Sequence, residues 1–322
     1  MSGSISEILS SVFAPSLWYA ALRYSTPIMY AGLCAALTQQ AGILNIGTEG
    51  IMLMGAFLAV VGGYFTGSWI IGILLAMAGG VLIAWFIAVG NLRYRANMPA
   101  ICTAMNLLVL GLTRFLLETM FGTAGSFIDP KIPPIPKVHL AFLDNIPVLN
   151  EIFNNWSLTE WMVILFVVLL YILLYKTTWG LHMRSVGRME QAAQTAGINV
   201  TAIKYQAILA GGALGGLAGA HLSLGYSTMF VENMTNNRGF MGIAAMWFGN
   251  ANPLGTVAGA YIFGFFDSVG NRLQPFGFPS QFVLAMPYLI TIIVLAVVLW
   301  AQKRQIKRKK SSLTGLPAGE PT

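Results

Sequence analysis

Four polar side chains, Gln39, Gln40, Asn45 and Glu49, interrupt two apolar runs at residues 27–37 and 51–61. Amides and a carboxylate crowded into such a junction have two uses: they hydrogen-bond a polar solute, or they satisfy backbone groups where helices stop. The segment between the runs reads G-I-L-N-I-G-T-E-G at residues 42–50. Neither run alone reaches the roughly 20 residues that cross a hydrocarbon core, so the junction is expected at membrane depth. Non-helical backbone is tolerated there only against protein or a water-filled cavity, and an acid there reads as a functional site. The plainer alternative is a tight turn at the membrane surface, with Asn45 as N-cap and Glu49 in the first helical turn, where the helix dipole favours a carboxylate.

A second polar interruption, E-N-M-T-N-N-R-G at residues 232–239, repeats the pattern. Residues 31–59 and 211–249 each run from a glycine-rich helix through an acid-bearing break into a short methionine-bearing helix. Paired interruptions in two halves of a chain point to the central site of a transporter. The candidate path residues are therefore Asn45, Glu49, Phe230, Glu232, Asn233, Phe240, Trp247 and Phe248. The polar members would meet hydrogen-bonding groups. The aromatic ones would offer faces to a planar solute, or simply pack.

A third stretch, residues 176–204, is polar and basic. Its pattern predicts a helix over 188–196 with Gly197 as its stop. Met189, Ala192, Ala193 and Ala196 share one small, flat face of that helix, suited to a groove on a partner. Arg188, Gln191 and Gln194 offer polar contacts beside it, and Arg184, Glu190 and Gly197 complete the candidate docking set. A surface helix packed on its own bundle is the alternative.

Other chemistry is missing. No phosphate-binding G-x-x-x-x-G-K-[ST] loop occurs. His139, His182 and His221 lack metal-ligand or triad spacing, and Cys34 and Cys102 sit in apolar runs as core residues. The expectation is a chain that is not an enzyme, holds no cofactor of its own and draws any ATP energy from a partner.

The elements that must position these residues are membrane helices. Hydrophobic residues make up 56% of the 322, and charged ones 9%, against about 25% charged in an ordinary soluble domain. The apolar runs, at 27–37, 51–61, 69–90, 99–121, 161–175, 203–225, 240–249, 254–269 and 282–300, predict an all-α polytopic bundle of about nine segments. Arg93 and Arg95, then Lys176, Arg184, Arg188 and Lys204, then the tail from Lys303 to Lys310 hold most of the 18 basic residues and mark the cytoplasmic side. The net charge of +7 thus follows topology, with no nucleic-acid motif beside it. Residues 123–160, net acidic and proline-rich, should face outside as a lid, docking surface or solvated linker. This puts the start of the chain outside, with Arg23 awkwardly near the first segment, and divides the chain into a transmembrane part, 1–302, and a basic cytoplasmic tail, 303–322. The first residues, which include Glu7, lack the basic start of a cleaved signal. Glycines four apart, such as Gly212 and Gly216, predict close helix packing. Arg114 with Glu118, and Asp267 with Asn271, are expected as structural pairs.

Three motifs resemble the permease subunits of bacterial ABC importers, in the superfamily of ribose and branched-chain amino acid permeases. They are G-I-L-N-I-G-T-E-G-I-M-L-M-G-A-F at 42–57, W-G-L-H-M-R-S-V-G-R-M-E-Q-A-A-Q-T-A-G-I-N-V at 179–200, and N-R-G-F-M-G-I-A-A-M-W-F-G-N-A-N-P-L-G at 237–255. The first is most similar to nucleoside permeases that work with basic-membrane-protein lipoproteins. The resemblance spans about residues 17–300 and implies a cytoplasmic ATP-binding subunit, a second permease, an external solute-binding lipoprotein and coupling through the second motif. His182 and Met183 depart from the more basic or aliphatic pattern, as does Gly242 where alanine is usual. The expected cargo is nucleosides, purine nucleosides first, with simple sugars next. An ion-coupled secondary transporter and a passive channel are the alternatives from other classes.

Overall fold

The computed structural model describes residues 15–139, 154 and 156–273. The apolar run at 282–300, the tail at 303–322 and most of 140–155 lie outside the described residues. In chain order the helices are α1 (Pro15–Gln40), α2 (Thr48–Thr66), α3 (Trp69–Ala88), α4 (Met98–Phe121), α5 (Leu158–Lys176), α6 (Thr178–Arg188), α7 (Glu190–Thr195), α8 (Val200–Ala220), α9 (Arg238–Phe248) and α10 (Pro253–Leu273). Wider π turns extend α3 through Arg93 and α8 through Ser227. Among the described residues, α2, α3, α4, α5 and α8 are long and apolar enough to cross a membrane.

The first apolar run is only the inner part of a helix. Arg23, Ser25, Thr26 and Pro27 read as a boundary, yet α1 passes through them for 26 residues. The hydroxyls of Ser25 and Thr26 donate back to the Leu22 carbonyl at 2.9 and 2.8 Å, so both polar side chains are satisfied within the helix. Arg23 donates to the Tyr226 carbonyl at 2.7 Å and lies 4.9 Å over that residue's ring. With α2 at 19 residues, both helices flanking the first break are near or above bilayer length, contrary to expectation.

Helix α8 is the axis of the bundle, packed against α1, α2 and α3. Its stripe of Gly211, Gly212, Gly215, Gly216 and Gly219 makes this possible. A β-carbon on Gly216 would collide with the Ala76 carbonyl and sit 2.9 Å from the Met77 Cα, while Gly80 faces Gly212 and Gly216 from the same helix. Small residues thus bring backbones together where lipid and Leu are equally apolar and packing must supply the attraction. The antiparallel crossing of α3 and α8 also puts Arg93, Arg95 and Lys204 at one end.

The outer end is covered. Strand β1 (Ser126–Phe127) pairs antiparallel with β4 (Phe230–Val231), and β2 (Lys137–Val138) with β3 (Trp156–Ser157). Ile132 and Ile135 are buried, and the Ile135 amide donates to the Leu224 carbonyl at 3.2 Å. The described part of the expected outer segment lies down on α2 and α8 as a cap, rather than running as a solvated linker.

Overpacking a tight core costs roughly 1–3 kcal/mol, and backbone contacts cannot yield as side chains do. Gly216→Leu should therefore fail to accumulate as folded protein in membranes. Gly111→Leu, at a position with nothing within 4 Å, should accumulate normally. Detergent-solubilised yield and thermal melting check this, and equal behaviour of the two variants would refute the role of the α8 glycines.

Candidate functional site

The first break begins at Gly42, which at φ +77° turns the chain back on the end of α1. The Ile43 amide donates to the Thr38 carbonyl at 3.0 Å. Asn45 accepts from the Gly47 amide at 2.9 Å, while the Thr48 hydroxyl donates to the Asn45 carbonyl at 3.1 Å. Asn106 clamps the same segment from α4, donating to the Ile46 carbonyl at 3.1 Å and accepting from the Gly50 amide at 2.9 Å. It stands about two turns into its helix, so the break lies within the bundle, as expected, and not at its face.

Glu49 is 8% exposed in the first turn of α2. Its carboxylate accepts from the Asn237 amide at 2.9 Å and the Gly239 amide at 2.7 Å, 188 and 190 residues away in sequence. Those amides open α9. One carboxylate therefore serves the N-termini of two helices, where unsatisfied N–H groups and the dipole both favour negative charge. A β-carbon on Gly239 would lie 2.6 Å from Glu49 Oε2 and 2.7 Å from its Cα, so only glycine lets the two breaks approach this closely. The surface-turn alternative was right that Glu49 stands in the first turn, but Gly47 rather than Asn45 is the N-cap, with Asn45 bonded to the Gly47 amide before the helix, and the Glu49 partner amides belong to the second break.

The second break is a chain of turns. Met234, Asn236 and Arg238 amides donate to the carbonyls of Val231, Asn233 and Thr235 at 2.9–3.1 Å. Asn233, Asn236 and Asn237 hold φ of 56°, 43° and 65°, left-handed values that asparagine tolerates better than most residues. Arg238 reaches Asp267 of α10 at 3.7 Å. Asn271 donates to the Asp267 backbone carbonyl at 2.8 Å instead of pairing with its carboxylate, which corrects the expected pair. Arg114 does lie near Glu118, at 3.6 Å, and also near Glu232, at 3.5 Å. Arg114 is 61% exposed on a helix face that carries Leu107, Leu108 and Phe115 outward. Arg114 and Glu118 lie in the last two turns of α4, where long charged side chains reach the polar interface.

The aromatic candidates divide. Phe230 is fully buried, edge-on to Phe57 at 5.2 Å, and Phe248 packs on Phe263 at 5.6 Å. Phe230 is thereby closed to a solute, whereas Phe248 stays half-buried. Phe240 and Trp247 are exposed on α9 together with Asn237 at its start. The structure puts Asn237, Phe240 and Trp247 on one exposed strip of α9, with Glu49 bound behind its start; Glu232 and Asn233 lie in the turns before it, Glu232 beside Arg114, and Asn45 is turned to Gly47 and Cys102. Asn106 was missed, although an asparagine inside the apolar run at 99–121 was the available signal.

The expected helix over 188–196 is α7, two residues shorter at its start and one at its end. Met189, at φ −152° and ψ 90°, separates α6 from α7, and Gly197 follows the second at φ +81°. Met189 is 65% exposed and Ala192 and Ala196 are exposed, but Ala193 is only 3% exposed, turned into the bundle. Glu190 pairs with Lys204 at 2.7 Å and fastens α7 to α8. Arg184 lies 4.9 Å over the Tyr175 ring, whereas Arg188 is exposed. The flat face predicted for Ala193 is therefore carried by Met189, Ala192 and Ala196, with Leu181 exposed beside them. Behind it, the Gly187 backbone abuts Gln40 and Gly42; a β-carbon on Gly187 would lie 2.9 Å from the Gly42 amide nitrogen. The docking loop and the first break touch directly.

With this geometry in hand, comparison with known proteins is informative. Residues 18–299 match the family model described as branched-chain amino acid transport system / permease component. The chain is 34% identical to the guanosine ABC transporter permease protein NupQ of Bacillus subtilis, over 90% of this chain and 92% of that one. It is 36% identical to the nucleoside ABC transporter permease protein NupC of Lactococcus lactis, over 86% and 90%. The glucose ABC transporter permease protein TsgB13 of Haloferax volcanii is 24% identical, over 84% and 74%. A solved ABC transporter assigned to the metal-chelate type, in an inward-facing conformation, shares the fold at a TM-score of 0.50 and 12% identity, over 88% of this chain and 85% of that one.

Glu49→Gln replaces a charged acceptor with an amide that presents one oxygen to two N–H donors. Hydrogen bonds to charged groups contribute about 1.5–3 kcal/mol each, so the purified variant should melt several degrees below the parent. Gly239→Ala should do the same by forcing the two backbones apart. If Glu49→Gln melts with the parent, the carboxylate does not hold the breaks together.

Proposed function

The chain belongs to the family of branched-chain amino acid transport permease components, and from that premise we propose that it is the membrane-spanning permease of an ATP-driven importer of nucleosides, purine nucleosides first. The observation that carries this reading is the open strip beside the Glu49 clasp. Backbone has left the helix inside the bundle, and the side chains turned outward there are polar or flat. A neutral nucleoside needs hydrogen bonds from its path but no counter-ion. Asn233 and Asn237 supply such bonds, and Phe240 and Trp247 supply faces for passing contact with a base; tight stacking, at about 1–3 kcal/mol per base, would slow release. Glu49 works on backbone amides and leaves the solute alone.

The same point weighs against an ion-coupled carrier, whose acids must be free to take up and release a charge. Here the most buried break acid is committed to two amides. The nucleoside relatives, at 34% and 36% identity, stand slightly above TsgC13, a permease of Haloferax volcanii assigned to glucose, at 32% and well above a second glucose permease at 24%, which supports the nucleoside cargo over a sugar by a narrow margin.

In this reading the partners are a cytoplasmic ATP-binding subunit, a second permease across the open strip and an external solute-binding lipoprotein at the outer cap. The chain holds no cofactor, and ATP sits in the partner. The ATPase grips Leu181, Met189, Ala192 and Ala196, and movement of α6 passes through the Gly187–Gly42 contact to the first break, then through Glu49 to α9.

Reconstituted with its ATPase and binding protein, the transporter should accumulate labelled guanosine in proteoliposomes on ATP addition and leave glucose outside. Glucose uptake without guanosine uptake would reverse the cargo assignment. Ala192→Arg should cut copurification of the ATPase at least about tenfold, since an unpaired charge buried in an interface costs several kcal/mol. Ala192→Arg retaining both the ATPase and uptake would mean that the exposed face is ordinary surface.

A further inference from the structure

The inner end of the bundle encloses a cavity of about 280 Å³, open on one side and shared by four helices. Gln39 and Gln40 come from the end of α1, Arg184 and Arg188 from one face of α6, and Trp247 and Asn250 from the end of α9 and just beyond it. Its charge is one-sided. Two guanidinium groups line it and no carboxylate does. Arg184 is steadied by the Tyr175 ring and by its own bond to the Gly180 carbonyl at 3.4 Å. Neither arginine has an acid within ion-pairing distance among the described residues. Two like charges held a turn apart without a counter-charge favour an anion, and guanidinium forks suit phosphate.

The remaining walls narrow the ligand further. Gln39 Oε1 is buried without a hydrogen-bond donor among the described residues, so it is turned away from the cavity it borders. Gln40 is committed to the Ala251 carbonyl at 2.8 Å, so it shapes the wall rather than offering its amide. The Trp247 indole lines the cavity and is 57% exposed. A fitting ligand combines an anionic head and a planar ring. The volume lies at the lower edge of the roughly 300–1,000 Å³ usual for ligand pockets, which favours one phosphate over a chain of them.

We propose that this cavity binds a nucleoside monophosphate from the cytoplasmic side. The phosphate lies between Arg184 and Arg188, and the ring lies against Trp247. The identity of the ring rests on the nucleoside reading above, since the phosphorylated form of the cargo is what a cell with ample supply presents at this end. A ligand there bridges α1, α6 and α9. It ties the docking loop to both breaks and so restrains their relative movement, making it a brake on import when internal supply is high.

The test uses the transporter assembled with its ATPase in nanodiscs of neutral lipid, and measures equilibrium binding of guanosine monophosphate, guanosine and inorganic phosphate. The monophosphate should bind saturably, with guanosine and inorganic phosphate each at least about tenfold weaker. Arg184→Gln and Trp247→Ala should each weaken it about tenfold or more, while Arg93→Gln, remote from the cavity, should not. Vesicles preloaded with the monophosphate should import guanosine more slowly than empty ones. Absence of saturable binding, or binding indifferent to Arg184→Gln and Trp247→Ala, overturns the proposal. Equal binding of inorganic phosphate overturns the ring contact, and displacement by anionic lipid gives the cavity to a headgroup. Binding to the permease alone that vanishes in the complex gives it to the ATPase. Should the complex bind the monophosphate but not transport guanosine, only the cargo reading fails; should it transport guanosine and bind no monophosphate, only this inference fails.

Discussion

A helix that starts inside a membrane bundle presents amide groups with no helical partner, and no water of the bilayer core meets them. Everything distinctive in this chain answers that constraint at two places at once. Glu49 begins α2 and also closes the start of α9, so one ionised group stabilises two interrupted helices. The price of burying the carboxylate is offset because both of its oxygens accept from backbone N–H groups in a region of positive helix dipole. Glycine at 239 follows from the required distance, and Asn106 follows from the need to satisfy Ile46 and Gly50 on the other flank.

This arrangement explains what the sequence alone could and could not convey. That Glu49 would serve amides was legible, because an acid after a turn at the head of an apolar run has few other stable uses. Which amides was not, since local pattern carries no information on a partner nearly two hundred residues away. The two breaks resembled each other in pattern, and their meeting in space is the physical content of that likeness. Helix α1 was misjudged because Arg23 and Pro27 ordinarily mark boundaries, whereas within it Arg23 bonds Tyr226 and the hydroxyls of Ser25 and Thr26 are satisfied at Leu22. The alanines near 193 showed a helical period correctly but not its phase against the bundle. The extended backbone of Met189 then set the start of α7 two residues later than the pattern suggested. Phe230 was attractive for its ring face, and full burial accounts for it as packing; Phe248 is half-buried against Phe263. The packing of the glycines, by contrast, was read directly, because a small residue every fourth position has one principal use in a membrane helix.

The bundle thus contains two kinds of helix. Helix α8 is held by backbone meeting backbone along its length, through glycines that leave no slack against α1, α2 and α3. Such an interface has no neighbouring arrangement of similar energy, because any slide brings a side chain where only a glycine fits. Helix α9 is shorter and exposed along one face; Gly242 meets the backbone of Ala31 and Gly32 on α1, Gly249 meets that of Gly255 and Thr256, and Glu49 with the longer Arg238–Asp267 contact holds its start. The freedom left within the subunit therefore falls on the start of α9 and on the two breaks, with α8 as the frame against which they move.

The strength of the clasp suits that division. Two hydrogen bonds to a charged acceptor, at about 1.5–3 kcal/mol each, give a restraint of roughly 3–6 kcal/mol. Reversing a two-state equilibrium from 1:99 to 99:1 takes about 5.5 kcal/mol. A restraint of this order keeps α9 in one position when nothing acts on the inner face, yet it yields to a partner whose binding favours the other position by a similar amount. A clasp made of neutral bonds would be too weak to define a resting state, and one made of packed backbone, like α8, would be too strong to release. The Gly187–Gly42 contact places the first break directly against the loop at 176–204. Were a partner to act on that loop, as proposed, its force would reach the Glu49 clasp by way of the first break, without first deforming the glycine-packed frame.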